Sequence, residues 1–462
     1  LKGGCFNDTD CSTATFAAAV LTDSTFVGAT LIGAAFTGAF LGGTDATGAD
    51  LSKAVLDEVT AEGLNLSDSV LSQATSRSAD LTGAALVGTS AQGLTLAGST
   101  LIGASMDDGT FSGADLAEAE LTDVTATGAR FDGATLTGAT LAGAEFTGAS
   151  LRSTGCESVD LSGSTLTDVD WTGGVLTDAH LVGATGEGVR FADADATGAN
   201  FERSRLTAAS LIGATLTDAT LREADLTGAT VKQATLDGAD LGAAVLAGAS
   251  IESTSAVGVD GAETVFADSS LTNSNFREAA LPRAVFSGAT ITACSFRESA
   301  LTGAVYDEAT VSHSDFSAAE LRGADLSDAT LDDDLFVTTD FDQATSIQTY
   351  ISACDFTEAT LGQCIATDAE IIHSTFVDAD LSGASLEGLS AREVTLSGAR
   401  LARADLSEAV VSDSDLDGAD LEAAVVDATR LEHSELRELT AADATLTDTA
   451  ISDCLLTGSD LG

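Results

Sequence analysis

Three histidines offer the first chemistry to test. His313, His373 and His433 recur at intervals of sixty residues, and imidazoles in register are side chains from which zinc centres are built. Carboxylates offer the second. The chain carries 72 acidic against 19 basic residues, but a general acid or base needs a cleft that tunes it and excludes water. Cysteine offers the third, with seven residues that lack the close paired spacings of a zinc site. The sequence contains no Walker motif, nucleophile elbow or GxGxxG turn. Its basic residues are too few and too scattered for the positive footprint that nucleic-acid binding demands. What the histidines and carboxylates can do depends on the elements that carry them.

Those elements announce themselves between Leu271 and Asp380. Phe276, Phe296, Phe316, Phe336, Phe356 and Phe376 recur every twenty residues, and Phe266, Phe286 and Tyr306 form a second series offset from the first by ten. Two aromatic stacks on opposite sides of one coil would produce this pattern. Between them the chain reads in fives, as in FREAA, LPRAV, FSGAT, ITACS and FRESA, with a large apolar residue first and a small one fourth. The phase holds from Leu1 through Leu461 without an insertion or deletion. A helical moment or heptad would drift out of register within a few turns, and strict alternation fails as well. A period of five, with Gly or Asp often preceding the small residue, predicts a very short extended piece and then a turn, repeated.

Pentads such as Ala49-Asp50-Leu51, Ala114-Asp115-Leu116, Ala239-Asp240-Leu241 and Ala324-Asp325-Leu326 resemble the pentapeptide-repeat family, and the resemblance covers the whole chain. It implies an all-β fold, a right-handed quadrilateral parallel β-helix with four pentads per coil, the large residue and the small residue two before it pointing inward. One such coil cannot bury its inward face alone; stacking supplies a continuous core and backbone hydrogen bonds between coils. At about 4.8 Å per coil, twenty residues per coil give about 23 coils and a rod of roughly 110 Å. Residues 1–462 are expected to form a single continuous domain, because no linker or composition shift breaks the phase. The weak pentads at Gly186–Arg190 and Ala256–Val265 read as underpacked coils.

On that scaffold the histidines stand three coils apart, roughly 14 Å, so no ion can touch two of them. Local pairing is the expectation: His313 with Asp333, His373 with Glu393, and His433 with Asp413 or Asp453. Cys11 and Cys156 take the large inward position and Cys294, Cys354, Cys364 and Cys454 the small one, where cysteine acts as a small hydrophobe. Cys5 points outward, and it pairs with Cys11 only if the first coil frays. No cofactor, metal centre or catalytic residue is expected, since the bore is filled and the outer faces are flat.

The net charge of −53, with lysine only at Lys2, Lys53 and Lys232, spreads as an outward coat that is heavily hydrated and self-repelling. This composition resembles proteins of salt-in halophiles. Some members of the family instead bind topoisomerases by presenting an acidic rod shaped like duplex DNA, so a cytoplasmic DNA-mimic regulator acting on a topoisomerase such as gyrase is the alternative. Their dimerising terminus and protruding loop have no counterpart in the sequence. There is no transmembrane run and no recognisable signal peptide in the sequence. The chain starts in phase at Leu1 without methionine, as expected of a product that has lost a leader or of an excerpt. Sequons at Asn7 and Asn65 offer glycan attachment in an exported protein. Capping helices are not evident, and the terminal coils offer Leu1, Phe6 and Phe16 at one end and Leu446, Ile451 and Leu456 at the other. The resulting expectation is a non-enzymatic structural rod at the surface of a halophile, stacking head to tail into filaments, with divalent cations able to bridge its acidic sides.

Overall fold

A computed structural model describes residues 1–461, and among them there is no helix. The pentad is the structural unit. Its first residue faces inward, the next two form a turn, the fourth is small and inward, and the fifth bridges to the next coil. The third position lies in the left-handed region throughout, from φ +48° at Ser78 to +82° at Gly458. Gly adopts that conformation freely and Asp and Asn tolerate it, which accounts for their frequency before the small residue. At one such corner a Cβ on Gly288 would lie 2.6 Å from Asp268 Oδ1 of the preceding coil, so the carboxylate fills the space that glycine leaves open.

Backbone hydrogen bonds make the coil. In the pentad starting at Leu246, the Leu246 amide donates to Val265 O at 2.7 Å and the Gly248 amide to Ala267 O at 2.9 Å. The Ala249 amide closes the turn on Leu246 O at 3.0 Å. Each bridge joins residues twenty apart in parallel, as in Thr25↔Asp45 or Val285↔Val305.

The chain divides into two compact units, Leu1–Thr235 and Leu236–Gly462. The first is held almost entirely by isolated bridges and contains one three-residue strand, β1 (Thr230–Lys232). The second contains β2 (Ser250–Glu252), β3 (Ser270–Thr272), β4 (Thr290–Thr292), β5 (Thr310–Ser312), β6 (Thr330–Asp332) and β7 (Tyr350–Ser352). It continues with β8 (Glu370–Ile372), β9 (Ser390–Arg392), β10 (Val410–Ser412), β11 (Arg430–Glu432) and β12 (Ala450–Ser452). These pair in chain order, all parallel, with Leu271 opposite Ile291 and Val411 opposite Leu431.

The strands count about eleven turns of parallel solenoid, fewer than the about 23 coils expected from length. Local hydrogen bonding explains why strands form where they do. Where the fourth amide closes the turn, as at Ala34 onto Leu31 O (3.0 Å), only one residue stays extended. On the strand face of the second unit that closure is absent. The Cys294 amide instead donates to Ser314 Oγ of the next coil at 3.2 Å, and three residues remain extended.

Candidate functional site

The bore is full. Phe276, Phe296, Phe316, Phe336, Phe356 and Phe376 form one stack with centroid spacings of 5.1, 4.8, 5.2, 4.8 and 4.6 Å. Phe266, Phe286 and Tyr306 form the second, at 5.0 and 4.8 Å. The stacks meet edge to face, with Phe286 and Phe296 at 5.9 Å and 87°, the arrangement the ring quadrupoles favour. The larger voids described in the second unit are about 50 Å³ beside Ser346 and about 40 Å³ beside Ala391, where a small residue takes a large position. The Tyr306 hydroxyl is buried without a hydrogen-bond partner among the described residues, and burial pushes its phenol well above the ordinary value.

Along the strand face the small inward position is polar. Ser274, Cys294, Ser314, Asp334, Cys354, Ser374, Ser414 and Ser434 stand one coil apart, except that Val394 interrupts them. A hydroxyl here works twice. Ser374 Oγ accepts from the Cys354 amide at 3.1 Å and donates to Ile372 O at 2.8 Å; Ser314 does the same with Cys294 and Ser312. At Asp334, 0% exposed, a carboxylate takes that place. Its Oδ1 accepts the Ser314 amide at 2.7 Å and its Oδ2 the Asp332 amide at 3.1 Å. Burial, opposed by those two hydrogen bonds, pushes its pKa up to about 7. The turn exchange behind this column has no signature in the pentad period, although serine and cysteine at twenty-residue spacing, with one aspartate among them, are visible in the sequence.

Outside, histidines face carboxylates of neighbouring coils. His313 Nε2 lies 3.6 Å from Asp333, His373 Nε2 3.0 Å from Glu393 and His433 Nε2 3.7 Å from Asp453. All six side chains are exposed, so each contact contributes about 0–1 kcal/mol. The carboxylates of Asp415, Asp417 and Glu435 bring oxygens within 4.8 Å of one another, the grouping best suited to hold a cation. Protein donors already engage them: Ser397 Oγ reaches Asp415 at 2.8 Å, and the Arg437 guanidinium contacts both Asp417 and Glu435.

The end rungs differ from the middle. Leu1 is 67% exposed, Phe6 half-buried and Phe16 buried; Leu446 is 39% and Leu456 41% exposed, and Ile451 is half-buried. Cys11 and Cys454, inward by phase, are half-exposed there, whereas Cys156, Cys294, Cys354 and Cys364 are buried thiols. Cys5 is exposed. Asn7 is exposed and its Oδ1 accepts the Val27 amide at 3.0 Å. Asn65 is half-buried and its Nδ2 donates to Thr47 Oγ1 at 2.8 Å and Asp45 Oδ1 at 3.2 Å.

Comparison with known proteins places this geometry. No curated protein matches the chain. Among solved structures it is similar to HetL, a pentapeptide repeat protein involved in heterocyst differentiation regulation in the cyanobacterium Nostoc sp. strain PCC 7120. Identity is 26% over 47% of this chain and 89% of that one, with a TM-score of 0.35. Trypsin-treated QnrB1, a plasmid-mediated fluoroquinolone resistance protein, is 20% identical over 43% of this chain and 89% of its own, at a TM-score of 0.23. A pentapeptide repeat protein of the Arabidopsis thaliana thylakoid lumen is 28% identical over 23% of this chain and 63% of its own, at 0.14. The family model for pentapeptide repeats (8 copies) matches residues 5–43, 41–73, 79–117, 114–152, 187–223, 224–260, 269–305, 294–333, 350–388 and 391–424. With well over half of its length matched, the chain belongs to the pentapeptide repeat family.

Proposed function

We propose that this protein is a non-enzymatic assembly scaffold. In this reading it is one continuous solenoid of about 23 coils of four pentapeptides, whose end coils associate head to tail into filaments at the surface of a salt-adapted cell. The observation that carries the reading is the stacking of coils: the large inward position is buried through almost all of both units, and bridges twenty residues apart join each coil to the next in parallel. A head-to-tail contact of the same kind repeats into an open filament. The sides resist association, because a net charge of −53 keeps copies apart until salt screens it or divalent cations bridge it.

Light scattering on the intact protein tests this, comparing wild type with Leu446→Asp between about 0.1 and 1 M salt, where the Debye length falls from about 10 to about 3 Å. Wild type should grow in mass with salt and the variant should not; equal masses at every salt concentration refute assembly. The second reading, a cytoplasmic regulator that shows a topoisomerase a DNA-like acidic face, draws on outward carboxylates such as Asp355, Asp405 and Asp420. Saturable binding to purified gyrase by a protein that stays single would favour it.

A further inference from the structure

Against this acidic background, one groove of the first unit gathers arginine. Arg130, Ser150, Asp170 and Arg190 occupy successive rungs of one outward column, each bridged to the next, and Asp132 and Arg152 lie in the column beside it. They line a groove of about 440 Å³ together with Gly148, where nothing lies within 4 Å of the position a Cβ would take.

Among the residues that line the groove, arginine and aspartate are balanced at three each, against the acidic excess of the rest of the chain. Arg203, Arg277 and Arg437 each meet two carboxylates. In the groove two guanidiniums share one. Asp170, only 6% exposed, accepts Arg152 Nη2 at 2.6 Å and Nε at 2.7 Å, with Arg190 Nη1 at 3.6 Å. Its other oxygen takes the Thr172 amide at 3.1 Å and hydroxyl at 2.6 Å. A buried carboxylate so fully used fixes Arg152 and leaves Arg190 with most of its donors unspent. Arg130, exposed on the same column, has no ion-pair or side-chain hydrogen-bond partner among the described residues. Asp132 is committed in part to Ser150 Oγ and to the Arg152 amide at 3.2 Å, and Asp168 stands exposed on the rim.

We propose that this groove is a binding site for a small phosphate monoester. Its phosphate lies between Arg130, Arg152 and Arg190, and its hydroxyl groups donate to Asp132 and Asp168. Guanidinium forks match phosphate oxygens in geometry and charge, and arginine sheds water more readily than lysine does. The facing carboxylates select a ligand that brings donors as well as an anion. This site is independent of filament formation, since it lies on a side of the solenoid and uses no end-coil residue.

The test is titration calorimetry on the full chain at about 0.15 M salt, where a Debye length of about 8 Å screens the coat but not contact pairs. The probes are inorganic phosphate, glycerol phosphate and succinate. One site per chain is expected, with a dissociation constant on the order of 1 mM for inorganic phosphate and tighter binding of glycerol phosphate. Arg130→Gln and Arg190→Gln should each weaken phosphate at least about tenfold with an unchanged melting temperature. Four outcomes overturn the proposal: no saturable phosphate binding, binding that survives both substitutions, succinate binding as well as phosphate, or glycerol phosphate binding no tighter than inorganic phosphate.

Discussion

Asp334→Ser should stabilise the middle of the second unit at pH 8 and leave it nearly unchanged at pH 4. Burial holds the Asp334 carboxyl at a pKa of about 7 in the fold, whereas in the unfolded chain it titrates at its ordinary 3.8. Between those values the folded state keeps a proton that the unfolded state has released, so stability falls as pH rises through the window and levels off above it. A shift of about three units, at about 1.36 kcal/mol each, makes the loss about 4 kcal/mol at pH 8. Serine carries no such charge and meets the same duty at Ser314 and Ser374, accepting the preceding coil's amide and donating to a carbonyl. The coat carboxylates titrate alike in both proteins, so the difference between them isolates this one group. Long repeat arrays do not unfold in a single step, which makes amide hydrogen exchange the suitable assay. Opening around residues 310–360 should be suppressed roughly a thousandfold in the variant at pH 8, and the two proteins should converge near pH 4. Equal protection at pH 8 would refute the reasoning, because it would mean that the carboxylate is solvated in the fold.

The aromatic stack and the coat make three further predictions. Phe336→Asp buries an unpaired charge and forfeits a side chain worth about 1.5 to 3 kcal/mol, so limited proteolysis should show new cleavage near residue 336. Tyr306→Phe removes a buried hydroxyl that has no partner among the described residues and should raise local stability by about 1–3 kcal/mol, read by the same exchange experiment; a decrease would reveal a hydrogen bond to that oxygen. Melting temperature should rise between about 0.1 and 1 M salt as the coat is screened, and a flat or falling trend would count against a salt-adapted surface.

Much of the fold is legible in the sequence, because a stack whose bridges join residues twenty apart imposes its period on every residue that points inward. Phe276 and Phe296 declare their stacking by spacing alone, and the alternation of Leu with Ala declares the bore. Less legible is anything decided by one hydrogen bond. The choice between turn closure at Ala249 and the amide-to-hydroxyl exchange at Cys294 leaves the pentad phase untouched, so neither the strand face nor its count of turns follows from periodicity. Asp334 reads as one more outward acid unless its place in the pentad is noticed. The arginine groove is hidden for another reason: Arg130, Arg152 and Arg190 lie far apart in sequence and converge only because coils stack at a fixed pitch.

Negative-stain electron microscopy of the intact native protein at about 0.1 and 1 M salt tests head-to-tail assembly most directly. Assembly predicts single particles at the lower concentration and unbranched filaments of uniform width at the higher one, lengthening with protein concentration. Single particles at both salts, whatever the protein concentration, would contradict it.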